Sequence, residues 1–166
     1  MTGNPDEMRI YELLRGDFKR IYSELVIATG SKPYQVIFEL VDSFTHIAIA
    51  KTDPSVENEN INASLKHVQR ATLDASKLLW AHYKKELNNI ASNDEIIRYC
   101  TSCHEDEFIK KCRYADKISL DARIVEEENV GMNSSASVNH YYNAAIAYRS
   151  AIDKIDQKKV KHFKIF

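Results

Sequence analysis

Apolar residues recur at helical spacing along nearly the whole chain, and from Ser55 to Val130 no glycine or proline interrupts them. These two residues are the strongest local helix breakers, so the stretch predicts two long helices packed back to back. Start and stop signals divide the remainder. Asn4-Pro5-Asp6-Glu7 supplies a capping side chain, then a proline where the N–H needs no partner, then acids in a first turn. The helix starting there carries Ile10, Leu13, Leu14, Phe18, Ile21 and Leu25 on one stripe and ends at Gly30. Gly16 lies inside it and marks a bend or a close contact. A second helix follows Ser31-Lys32-Pro33, bears Val36, Ile37, Leu40, Val41, Phe44, Ile47 and Ala48, and closes at Thr52-Asp53-Pro54.

The third helix runs from Glu57 to Ile90, roughly 50 Å long, with Ile61, Leu65, Val68, Ala75, Leu79 and Leu87 on one side. A capping box, Ser92-Asn93-Asp94-Glu95, starts a fourth, which continues through Phe108, Cys112, Ala115, Leu120 and Ile124 towards Gly131. Asn133-Ser134-Ser135 starts a fifth, faced by Val138, Tyr141, Tyr142, Ala145, Tyr148, Ala151, Ile152 and Ile155. No strand pattern appears before the last residues. The expected fold is an all-α bundle of about five helices built on a long antiparallel hairpin. It forms one domain over residues 1–157, followed by a short basic and aromatic tail, 158–166.

With 166 residues the chain can bury a core without metal or disulfide staples. A net charge of -1 argues against a broad basic face for nucleic acid. No apolar run reaches bilayer length and the N-terminus is polar and acidic, which predicts a cytoplasmic location. Cys100, Cys103 and Cys112 are an odd set in one window and not a disulfide framework.

Three groups of residues have the types that chemistry needs. Cys100-Thr101-Ser102-Cys103-His104 has the spacing of covalent haem attachment, which requires export, and no export signal is read here. With Cys112 the same residues offer three sulfurs and an imidazole for zinc. On one continuous helix, however, Cys112 lies three turns from Cys100, so the expectation is small buried hydrophobes and neither metal nor cofactor. Glu39, Asp42 and His46 on the second helix, and His67, Arg70, Asp74 and Lys77 on the third, each form a polar stripe. Facing each other they would make a metal or acid–base site, but the Glu-x-x-His pairs of helical carboxylate proteins are missing. The expectation is a solvated or protein-binding stripe.

Arg98 and His104 form an Arg-x5-His pair similar to the Arg-x4-6-His signature of HEPN-type ribonucleases and toxins, which are all-helical. The resemblance implies that Arg98 holds a scissile phosphate and His104 transfers protons, without metal, at a dimer interface. Residues His67 to Tyr83 resemble the helix such proteins pack against their catalytic one. Tyr99 stands where a small polar residue is usual, and Glu105, Asp106 and Glu107 follow the histidine. Separately, "AIAYRSAIDKID" resembles the second helix of a tetratricopeptide hairpin, without a second copy at that family's period.

The leading expectation is a non-enzymatic helical interaction or scaffold protein that self-associates or docks on a larger protein. Its expected contacts are His67, Arg70, Asp74 and Lys77, the tyrosines Tyr141, Tyr142 and Tyr148, and Phe163 and Phe166 in the tail. Nucleic acid is the less favoured partner. The alternative is the HEPN-like ribonuclease using Arg98 and His104.

Overall fold

The computed structural model describes residues 4–129 and 134–163, apart from the side chains of Ser134, Ser135 and Phe163. Helix α1 (Pro5–Leu13) starts where the Asn4 side chain accepts from the Asp6 N–H at 2.9 Å. A π-helical turn, Leu14–Phe18, joins it to α2 (Lys19–Thr29). The turn has a cause in the sequence. Ile10, Leu14 and Phe18 are spaced by successive fours, which drift an α-helical stripe by about 80°; the wider π turn takes up that drift and keeps Ile10, Phe18, Ile21 and Leu25 buried. Gly16 therefore sits in a bend, and a methyl group added there would meet nothing within 4 Å, so no close contact requires it.

Gly30 ends α2 with a left-handed φ of 67°, its N–H donating to the Val26 carbonyl at 2.9 Å. Helix α3 (Tyr34–Thr52) follows Pro33 and stops at Asp53, whose extended backbone is what a residue before proline adopts. A short 3-10 turn, Pro54–Val56, leads into α4 (Glu57–Ala91), 35 residues long. Every residue predicted for the apolar side of α4 is buried.

The expected fourth helix is divided in two, α5 (Asp94–Cys100) and α6 (Glu105–Glu128). No glycine or proline causes the break. The Cys100 carbonyl accepts from the Asp156 N–H, and the Ser102 N–H donates to the Lys154 carbonyl, both at 2.7 Å. Thr101 and Ile155 thus form an isolated antiparallel bridge, and among the described residues there is no strand. A distant segment has taken the backbone groups that would have continued the helix. Helix α7 (Ser134–Ile152) and a short α8 (Gln157–Phe163) complete the chain. Val160 of α8 is buried, so part of the expected tail packs on the bundle. Gly131, Asn133, Ile165, Phe166 and the Phe163 side chain lie outside the described residues.

Helix α4 is the axis of the fold, touching α1, α2, α3 and α7. Helices α3 and α4 make an antiparallel hairpin; α6 packs along α7 and reaches α4 through long side chains. The core runs down α4 in three parts, around Leu65 and Val68, around Ala71 and Leu79, and around Leu87. Helix α3 sits at the edge, packed mainly on α4, with Lys51 at its C-terminal end donating to Glu7 of α1 at 2.9 Å. Inside that contact the hydroxyls of Ser43 and Ser64 pair at 2.8 Å, a buried polar contact that distinguishes one register of the hairpin from its neighbours.

Candidate functional site

The two polar stripes do face each other across the α3–α4 seam, but as a network of structural pairs. Glu39 accepts from Arg70 at 3.3 Å and lies 2.7 Å from His67 Nδ1. The His67 ring stacks on His46, with centroids 5.3 Å apart, and His46 Nδ1 is 2.8 Å from Asn60 Oδ1. The Gln35 amide donates to Asp74 at 2.9 Å; burial pushes the Asp74 carboxyl above its ordinary range, only partly offset by that bond. Asp42 points away and is exposed. Among the described residues no three His, Cys, Asp or Glu side chains are placed to hold a metal ion.

Lys77 leaves the stripe altogether. It donates to Glu126 of α6 at 2.7 Å, and Glu126 also accepts from the Tyr141 hydroxyl. Burial raises the Glu126 pKa, but these two bonds outweigh it and hold the carboxyl below its usual range. Tyr148 donates to Asp116 at 2.7 Å. Tyr141 and Tyr148 are 2% and 1% exposed, so the expected tyrosine contact face lies inside the bundle. Burial, and then the neighbouring carboxylates, push both phenols well above the ordinary tyrosine range. Tyr142 is half-buried and donates to Glu24 at 3.0 Å, beside Arg149 at 2.9 Å. These tyrosines clamp helices together; their polar tips go to carboxylates of α2 and α6, of which Glu24 and Asp116 drew no attention in the sequence. The available signal was a pair of tyrosines seven apart facing a pair of acids ten apart on the preceding helix.

Arg98 and His104 fall on opposite sides of the break, the first on α5 and the second as the N-cap of α6. Both are exposed, and neither bonds the other. His104 Nδ1 accepts from the Asp106 N–H at 3.4 Å, and the Asp106 carboxylate lies 3.9 Å from it. The break also undoes the expected helical arrangement of the cysteines: Cys100 is buried at the end of α5, while Cys103 lies in the corner. Cys112 is half-buried on α6, and burial raises its thiol pKa, the reverse of an activated nucleophile. A shallow open groove of about 280 Å³ beside the π turn is lined by Arg9, Glu12, Leu13, Gly16 and Asp17.

The feature that stands apart is the outer face of α3. The apolar set predicted for this helix is divided between two sides. Val36, Leu40, Ser43, Ile47 and Ala50 face α4. Tyr34, Phe38, Val41, Thr45, Ala48 and Thr52 face outward and are exposed, flanked by exposed Phe44 and Ile49. Both sets step by alternating fours and threes, the spacing of a coiled-coil seam, and they lie about 200° apart round the helix. The exposed apolar residues of α6 (Tyr114, Leu120, Ile124) make no such row, being interleaved with Lys117, Asp121 and Arg123.

The fold and this face define an all-α bundle with a two-seamed helix at its edge. Compared with known proteins, the chain matches no family model, no curated protein and no solved structure.

Proposed function

We propose that this chain is a non-enzymatic helical interaction protein that binds a helical protein surface through the outer seam of α3. The observation that carries the reading is a complete second seam on a helix whose first seam is already filled by α4. A helix with apolar rows on two opposite sides normally has both covered, and α3 has only one side covered. Between Tyr34 and Ala50 there is no lysine or arginine, so the face lacks the basic residues that anionic lipid or nucleic acid would need. No helix of the described residues is long and apolar enough to cross a membrane.

A photo-crosslinking residue at Phe38, compared with one at exposed Leu120, tests the reading in cells. One discrete adduct at position 38, identified by mass as this chain or one other polypeptide, is the expected result. No adduct at 38, or the same adducts at both positions, sinks it. The ribonuclease alternative is the less favoured reading: Arg98 and His104 are both exposed, but they sit on opposite sides of the break and do not bond each other. A His104→Ala substitution is expected to leave RNA uncleaved by either form; RNA cleavage lost only in the variant would restore that alternative.

A further inference from the structure

We infer that the occupant of the α3 outer seam is α3 of a second copy, packed antiparallel about a two-fold axis; the inference rests on the interaction reading above. Three observations converge on it.

The first is the order of side-chain sizes. The seam begins with large residues, Tyr34 and Phe38, and ends with small ones, Ala48 and Thr52. Laid antiparallel on itself with the axis at residue 43, it pairs Tyr34 with Thr52, Phe38 with Ala48 and Val41 with Thr45. Each large knob then meets a small partner, and every contact occurs twice, as a two-fold interface demands. A parallel pair would stack Phe38 on Phe38 and Ala48 on Ala48, leaving one end crowded and the other hollow.

The second is polar satisfaction. The threonines are the polar members along the middle and end of the seam. Thr45 Oγ1 donates to the Val41 carbonyl at 2.9 Å, and Thr52 Oγ1 donates to the Ala48 carbonyl at 3.0 Å. Their hydroxyls already have partners, so covering the seam strands neither of them. Tyr34 lies at the end of the row, where its hydroxyl keeps access to water.

The third is area. Tyr34, Phe38, Val41, Phe44 and Ile49 are exposed by 77%, 64%, 52%, 56% and 40%. With aromatic side chains worth about 150–250 Å² each, the face offers on the order of 500 Å². That matches the largest apolar patch of a typical monomer, the kind that is often functional. Doubled by symmetry it reaches about 1,000 Å², the lower bound of a specific interface. The pairing also brings Phe44 against its symmetry mate on one side of the axis and Asp42 against its own on the other. The like carboxylates oppose association, so the interface has a defined weak point.

Sedimentation of the full chain over a wide concentration range tests this. The expected result is a dimer. Phe38→Lys with Phe44→Lys weakens it by about 100-fold or more, whereas Asp42→Asn tightens it by about 3- to 10-fold. All three positions face solvent in the protomer, and unchanged far-UV dichroism checks that each variant is folded. A monomer at every concentration overturns the second copy while leaving the interaction reading to the cross-link at position 38. A dimer indifferent to the lysine substitutions forms through another face and overturns the second copy on α3, again leaving the interaction reading to the cross-link at position 38. A dimer that weakens with the lysines but does not tighten with Asp42→Asn overturns the antiparallel arrangement.

Discussion

At the scale of single residues, the informative side chains are those whose polar atoms were buried together with a partner. Tyr148 donates to Asp116 at 2.7 Å from an almost fully covered position. Tyr148→Phe is expected to destabilise by about 1–3 kcal/mol, since it removes a bond to a charged acceptor and strands part of that acceptor. Chemical denaturation with an unchanged slope checks it. Asp74 predicts the opposite sign. Its carboxyl is raised by burial, so the folded state binds the proton more tightly than the unfolded chain. Stability from this group is therefore fully present below the unfolded pKa and declines as pH rises through the folded one. Asp74→Asn should raise the Tm near neutral pH and leave it unchanged at a pH where the native carboxyl is protonated. Glu126 runs the other way again: held low, it contributes stability above its unfolded pKa that disappears as the pH falls. Glu126→Gln should lower the Tm at neutral pH, and the difference should close in acid. The sequence marked Tyr141, Tyr142 and Tyr148 as a contact face but not as buried clamps, because the carboxylates that receive their hydroxyls come from other helices.

Elements were the most legible level, and the two larger departures have specific causes. Asn4, Pro5, Gly30 and Pro33 act at helix ends as their chemistry predicts, while the expected capping box is shifted by one residue, Asn93 and not Ser92 capping α5. The break between α5 and α6 was hidden because its cause lies some fifty residues away, in the backbone groups of Lys154 and Asp156. The π turn was half visible: Gly16 marked a bend, while the successive fours from Ile10 to Phe18 carried its reason. At Gly16 φ is not in the left-handed region, and there is open space for a methyl group. Gly16→Ala is accordingly expected to stabilise by about 0.5–1 kcal/mol through the unfolded chain. Destabilisation would mean that the bend needs glycine's freedom after all. The α3 seam belongs to this scale too. Its alternating fours and threes were present in the sequence, but Val41, Phe44 and Ala48 merged with the inward set into one broad stripe when no neighbour was known.

For the whole molecule, the arrangement of helices about α4 decides which surfaces are free. Helices α1, α2 and α7 each share α4 or one another, and α6 has α7 along its length, whereas α3 has α4 as its main neighbour and touches α1 through the Lys51–Glu7 pair. Tyrosine–carboxylate pairs tie α2, α4, α6 and α7 to one another, and none of them reaches α3. The α3–α4 contact instead relies on a narrow apolar row, the paired serines and the Glu39 network. Packing mainly on one neighbour has a consequence for the timing of motions in the isolated chain. Helix α3 rests mainly on one neighbour while α4 is held from several sides, so the amide protons of α3 should exchange with deuterium sooner than those of α4, and in one cooperative step. If a second copy clasps the other seam, the same amides should become the ones whose exchange slows as protein concentration rises, turning a helix guarded from one side into one guarded from both.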